Sequence, residues 1–487
     1  MRIVQISSEA VPYAKTGGLA DVVGALSEYL FRSGHEVTLF LPLYRMIREA
    51  GFEPGTVELE LGPAELGLPA EASIRSIPST EGPSVRVVDA PELFDRDGLY
   101  GVRGSDHPDN LLRFATFCRA ALCAVEESPD ILHVHDWQSA LAVVLLRSGP
   151  PPGATAISER LPASVMTLHN LAYQGRFAES AWPETGLPYD WYRPDRLEYY
   201  GGINLLKGGL VTADRVTTVS PGYAAEISTP ELGFGLEGNI QALSHPVVGI
   251  LNGIDTVTWN PADDQFLDTP FDVEDRSGKA AAKQELQREF GLPESPAVPL
   301  FGLVSRLVDQ KGIPLIEALE QRFGDWPAQF VFLGNGEPRY ERLIEQLARD
   351  NSNVGSRVAF SERLAHLVEA GSDFFLMPSA FEPCGLNQMI SQRYGTVPVV
   401  HRIGGLADSV IGVTPATLAD GTATGIVFEP FDPDALAGAI IAALDLFARP
   451  SSMASVIRAG MEMDFSWQAS GRRYEDLYER LLEDMNG

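Results

Sequence analysis

Lys15, Gly17 and Gly18 stand in KTGGLADVVGAL, just after the apolar stretch RIVQIS and at the start of a pattern that puts Leu19, Val22, Val23, Leu26 and Leu30 on one face. A glycine pair opening a helix offers free N–H groups and the positive end of the helix dipole, and Lys15 adds a cation, so the loop suits an anion. It is not the GxGxxG dinucleotide fingerprint, and a glycine pair there also serves a purely steric turn. Farther on, SRLVDQKG carries Arg306 and Lys311, a planar fork and a point charge that together suit a diphosphate. In FEPCGLNQ, Glu382 is placed to accept sugar hydroxyl protons, while Cys384, Gly385, Leu386 and Asn387 are expected to open a helix whose amides meet hydroxyl or phosphate oxygens. A nucleophilic role for Cys384 lacks a motif-placed histidine. HVHDW (His133, His135, Asp136, Trp137) and TLHN (His169, Asn170) both follow strand-like runs. Their polar groups suit sugar hydroxyls, with Trp137 or Tyr173 as a stacking face. The two histidines of HVHDW share a strand face but lack a zinc-type ligand set, and at least one of them is expected to be a packed histidine.

Residues of this kind need a scaffold that brings strand ends together. RIVQIS, EVTLFLP, SVRVVDA, DILHVHDW, SVMTLHN and DRVTTVS read as one series of strands followed by loops and helices. PLFGLVSR, AQFVFLG, RVAFS, SDFFLMPS, VPVVHRIGG and TGIVFEP form a second. Open sheets rarely reach a dozen strands, so the pattern predicts an α/β protein of two Rossmann-like, doubly wound parallel-sheet domains, with ligands at the carboxyl ends of the strands. The expected division is residues 1–246, 247–465 and a terminal segment 466–487. In the last segment Tyr474, Leu477, Tyr478, Leu481 and Leu482 recur at helical spacing, and such a helix can pack back on the first domain.

The 487 residues carry 37 basic and 66 acidic side chains, a formal charge of −29, which argues against a nucleic-acid partner. Three cysteines without a CxxC pair fit a reducing compartment and not a structural zinc. The N-terminal stretch turns polar at Ser7, and the longest apolar window ends at Asp445, well short of the roughly 20 residues a membrane span requires. The expected location is the cytoplasm, with no membrane association.

KTGGLADVVGAL, HVHDWQSAL, ADRVTTVSPGYAAEI, NGIDTVTWNP, SRLVDQKG and FEPCGLNQM, taken in order, closely resemble the bacterial glycogen synthase and plant starch synthase family, essentially end to end. The resemblance implies a GT-B fold with the active site between two domains, the first on the acceptor side and the second on the donor side. It implies glucose transfer from ADP-glucose to the non-reducing end of an α-1,4-glucan with retention, and neither metal nor cofactor. Lys15 and the Gly17-Gly18 loop would approach the donor phosphates, with Asp21 in the same substrate-binding motif, and Arg306 and Lys311 would neutralise the departing diphosphate. Asp136, His169 and Asn252 would orient glucose or acceptor, Glu382 and the amides from Cys384 onward would hold the sugar ring, and Phe360 would lie near the nucleobase. The chain departs from its relatives at Phe360, Asn387 and Ala380, where Tyr, Thr and Arg are frequent. Alternatives are a non-catalytic glucan-binding protein of the same fold and a retaining transferase acting on small sugars.

Overall fold

The computed structural model describes residues 1–79, 81–102 and 104–486. The chain forms two compact units, Met1–Ile250 with Trp467–Gly487, and Leu251–Ser466.

Unit 1 holds β1 (Arg2–Ile6), β2 (Glu36–Pro42), β3 (Val57–Leu61), β4 (Ala72–Ile77), β5 (Ser84–Asp89), a short hairpin β6 (Gly101–Val102) and β7 (Ser105–Asp106), and β8 (Ile131–His135). It continues with β9 (Ala163–Leu168), a small sheet of β10 (Arg176–Ala178), β11 (Glu198–Tyr199) and β12 (Gly202–Asn204), then β13 (Arg215–Thr218) and β14 (Val248–Gly249). The main sheet runs β14-β13-β9-β8-β1-β2-β5-β4-β3. It is parallel except at β4, which pairs antiparallel with both β3 and β5. The chain winds from β1 outward through β2 to β5, then crosses to β8 on the other side of β1, so the strand order reverses between β1 and β8. That is where an open α/β sheet forms a crevice at its carboxyl edge.

All six runs of the first series are strands. The antiparallel edge, β3 and β4, lies outside that series, because VELEL and ASIRSI are half-polar and lack the continuous apolar character of buried parallel strands.

Helix Trp467–Asn486 belongs to unit 1. Tyr474, Tyr478 and Leu481 are buried in a core shared with Ile3, Val22, Leu26, Leu30 and Val165, so the terminal helix covers β1 and its neighbours. Glu475 accepts from Tyr29 Oη at 2.5 Å and pairs with His35 Nε2 at 2.8 Å, which fixes the helix against Gly18–Arg32 and the start of β2.

Unit 2 holds β15 (Leu300–Val304), β16 (Gln329–Gly334), β17 (Val354–Val358), β18 (Phe374–Met377), β19 (Val397–His401) and β20 (Ile426–Phe428), all parallel in the order β17-β16-β15-β18-β19-β20. Its reversal lies between β15 and β18. Phe301 stacks on Phe330 and Phe374 at centroid distances of 5.1 and 4.9 Å, so one apolar stack fixes the three central strands. The run RVAFS is only partly a strand: β17 starts at Val354 and stops at Val358, leaving Ala359, Phe360 and Ser361 as the loop into helix Glu362–Gly371.

Candidate active site

In unit 1 the segment after β1 is drawn into a tight loop by Glu9. This carboxylate, 3% exposed, accepts from the Thr16 amide, from Thr16 Oγ1 at 2.7 Å and from Tyr100 Oη at 2.5 Å, while Ser8 Oγ meets the same phenol at 2.7 Å. The loop delivers Gly17 to the N-cap of helix Gly18–Arg32 with extended backbone, φ −161°. A Cβ added at Gly17 or Gly18 meets no atom within 4 Å, so neither glycine answers to an internal packing need. Lys15 lies exposed beside them with Nζ 2.7 Å from Asp21 Oδ1.

Asp136 follows β8 directly and holds φ at +56°, a left-handed conformation that a non-glycine residue adopts at a cost. The constraint is maintained by its carboxylate, which accepts from the His169 amide at 2.7 Å and so ties the end of β8 to the end of β9. Burial pushes the Asp136 carboxyl up to about 7, against the amides of His169 and Asn170, which favour its charged form. Between its ordinary value and pH 7 the folded chain therefore keeps a proton that the unfolded chain has lost, so this site's contribution to stability drains away as pH rises through that window. Asp136→Asn is expected to be more stable relative to wild type at pH 8 than at pH 4, read as the difference in thermal midpoint. A constant difference would refute the shift.

The two histidines of HVHDW separate by role. His133 is fully buried, with Nδ1 2.7 Å from Tyr478 Oη on the terminal helix and Nε2 2.6 Å from Thr167 Oγ1, which makes it the packed histidine. His135 reaches His169 instead, with His135 Nδ1 3.1 Å from His169 Nε2. Trp137 is no stacking face. It is 8% exposed and wedged against Phe114 and Phe177, whereas Tyr173 is open to solvent. Among the described residues no group of three or more His, Cys, Asp or Glu side chains is arranged to hold a metal ion, and no single helix is long and apolar enough to cross a membrane.

In unit 2 the loops after β15 and β18 are joined. Gly312 has φ +74°, and a Cβ there would lie 1.8 Å from the Pro378 carbonyl oxygen, so only glycine lets the SRLVDQKG loop close on the end of β18. The Ala380 amide donates to the Gln310 carbonyl at 2.9 Å across the same seam. This brings Lys311 Nζ to 2.6 Å from Glu382 Oε2, which also accepts from Ser379 Oγ at 3.0 Å. Glu382 is 5% exposed. Arg306 is exposed and has no ion-pair partner among the described residues.

Helix Asn387–Arg393 begins later than expected: Cys384, Gly385 and Leu386 form the turn before it, Gly385 having φ +70°. Asn387 Nδ2 donates to the Val304 carbonyl at 3.0 Å, so this amide locks the helix to β15, a task a threonine hydroxyl is too short to share in the same way. Burial pushes the Cys384 thiol up to about 12, which leaves no thiolate for nucleophilic chemistry. Asn252, 5% exposed, lies beside Cys384 and keeps its Oδ1 buried without a hydrogen-bond partner. Phe360 stands almost free in solvent at 89% exposure.

The structure thus gathers Lys15, Gly17, Gly18, Asp21, Asp136 and His169 around the reversal point of unit 1. It gathers Arg306, Lys311, Glu382 and Cys384–Asn387 around that of unit 2. Nothing in the sequence singles out Tyr100 or Gln5, and the signal for Glu9 is no more than an acidic residue between a first strand and a glycine-rich turn.

Two doubly wound parallel sheets in one chain, each with charged and polar groups at its own reversal point, are the GT-B architecture of glycosyltransferases. The family described as starch synthase catalytic domain matches residues 2–242, and glycosyl transferases group 1 matches residues 283–458. A glycogen synthase of Myxococcus xanthus is 46% identical, covering 99% of this chain and all of the relative. Glycogen synthase 2 of Geobacter sulfurreducens is 43% identical with both chains fully covered. The solved catalytic domain of starch synthase IV from Arabidopsis thaliana, bound to ADP and acarbose, superposes with a TM-score of 0.88 at 33% identity over 99% of each chain. A sucrose-phosphate synthase from Thermosynechococcus elongatus shares the fold at TM-score 0.61 and 18% identity. The chain belongs to the glycogen and starch synthase family of retaining glycosyltransferases.

Proposed function

We propose that this protein elongates α-1,4-glucan in the cytoplasm by transferring glucose from ADP-glucose to a non-reducing end with retention of configuration. The observation that carries the reading is the buried Glu382 held at 2.6 Å by Lys311 where the strand order of unit 2 reverses. Breaking the bond between glucose C1 and the phosphate oxygen sends its electron pair to the diphosphate and leaves an oxocarbenium-like carbon. Lys311 and the unpaired Arg306 stabilise the charge growing on the leaving group. The amides at Gly17 and Gly18, with Lys15, contact the donor phosphates, and Asp21 orients Lys15. Asp136, His169 and Asn252 orient sugar hydroxyls; the unpartnered Asn252 Oδ1 is an acceptor in want of a donor. Glu382 and the turn Cys384–Asn387 hold the transferred ring, and Phe360 offers its face to adenine. The acceptor hydroxyl oxygen bonds C1 on the face the phosphate leaves, its proton passing to the departing phosphate. The three cysteines are buried and unpaired, which supports a reducing location.

The test is incorporation of radiolabelled ADP-glucose into glycogen. Label in polymer is the expected result; none across varied pH and salt, or label only in small sugar acceptors, overturns the assignment.

Gly17 separates binding from folding. Because a Cβ there meets nothing within 4 Å and φ is −161°, Gly17→Ala is expected to leave the thermal midpoint close to wild type. The methyl group would instead hold the donor phosphates off the amides, raising KM for ADP-glucose about tenfold or more. An unchanged KM would remove this loop from the donor site.

A further inference from the structure

Behind His169 a line of buried side chains crosses three neighbouring strands. His169 Nε2 lies 3.1 Å from His135 Nδ1, and His135 Nε2 lies 3.0 Å from Gln5 Oε1. Gln5 and His135 are fully buried and His169 is 8% exposed. Burial holds both imidazoles neutral, His169 lowered to about 3 and His135 well below the ordinary histidine value, the latter with help from the neighbouring rings. The His133 ring lies tilted beside that of His135, centroids 4.1 Å apart, but spends its own nitrogens on Tyr478 and Thr167, so it stands outside the line.

A neutral imidazole carries one N–H, so what one nitrogen does dictates what the other can do. Gln5 presents its carbonyl oxygen, an acceptor. His135 therefore donates from Nε2 and accepts at Nδ1. His169 in turn donates from Nε2, which leaves its Nδ1 as a lone pair; this atom makes no hydrogen bond among the described residues. The Gln5 amide nitrogen is buried without a partner. Turning that amide over would offer an N–H to His135 and reverse both rings, which makes residue 5 the point that sets the direction of the whole line.

We infer that Gln5 and His135 are positioning residues that fix the tautomer of His169, so that its Nδ1 accepts a hydrogen bond from a substrate hydroxyl. The inference rests on the reading of His169 as a substrate-orienting group, and it deepens that reading by giving the contact a polarity.

The test is nitrogen NMR on the full chain labelled at its histidines, whose two-bond couplings report which ring nitrogen carries the proton. Signals are assigned by their loss in His135→Gln and His169→Ala. The expected result is the Nε2–H form for both His135 and His169 at neutral pH. Gln5→Leu removes the acceptor, and is expected to populate the Nδ1–H form at His169 and to lower kcat roughly tenfold with little change in thermal midpoint. Gln5→Glu, an acceptor like the native carbonyl, is expected to restore both the tautomer and most of kcat. The Nδ1–H form of His169 in the wild-type spectrum overturns the inference, and so does full kcat in Gln5→Leu. If Gln5→Leu does not fold, the wild-type spectrum alone decides. Full activity in His169→Ala overturns the site reading instead, and the tautomer spectrum tells the two failures apart.

Discussion

Lys311→Ala is expected to lower turnover about 10²- to 10³-fold, the usual loss when one preorganised group facing a developing negative charge is removed. A loop cation free in solvent could be removed with little loss of stability, but Lys311 is not free. Lys311 is the cationic partner of Glu382, whose side chain is only 7% exposed, so the alanine variant keeps a buried carboxylate with Ser379 Oγ as its remaining donor. Stability should fall by about 1–3 kcal/mol. Turnover must therefore be measured well below the variant's thermal midpoint, beside Lys311→Arg, which keeps both the charge and a partner for Glu382. Partial recovery in the arginine variant is expected. Retention of a third or more of wild-type turnover in the alanine variant would take Lys311 out of the chemistry.

Glu382→Gln probes the other half of the pair and separates chemistry from nucleotide binding. The amide has nearly the shape of the carboxylate and can still accept from Ser379 Oγ, so folding is expected to survive with a loss of about 1–2 kcal/mol. Turnover should drop about 10²-fold or more, because the variant lacks the charge that the proposed function assigns to orienting and stabilising the transferred glucose. Lys311 is at the same time released from its 2.6 Å partner and becomes more available to a phosphate. Affinity for ADP, read by calorimetry, should thus stay constant or rise while turnover falls. A parallel loss of ADP affinity and turnover would assign Glu382 to holding the loops in place.

How far the sequence reveals this arrangement depends on whether the determining contact is local. The strands of both series are legible because buried parallel strands are continuous β-branched and aromatic runs, and Gly17 and Gly18 are legible because a glycine pair interrupts such a pattern. The antiparallel edge at β3 and β4 is not, since half-exposed strands alternate with charge and read like loops. The terminal helix shows its apolar stripe in the spacing of Tyr474, Tyr478 and Leu481, yet its resting place is decided by Tyr29, His35 and His133, hundreds of residues away. Trp137 illustrates the reverse error: an aromatic at a strand end looks suited to stacking on a sugar, but this one is buried in edge-type contacts with Phe114 and Phe177. The line from Gln5 through His135 to His169 is equally invisible in sequence, because strand order, not chain order, makes those residues neighbours.

The chain leaves unit 1 at Ile250 and re-enters it at Trp467, so the middle of the sequence is translated before the first unit can be finished. Until helix Trp467–Asn486 emerges from the ribosome, Ile3, Val165 and the ring of His133 lack the cover that Tyr474 and Tyr478 supply. A nascent chain stalled before Trp467 would present this greasy, half-built face to chaperones and proteases, so unit 1 stays open to quality control until that helix has been made.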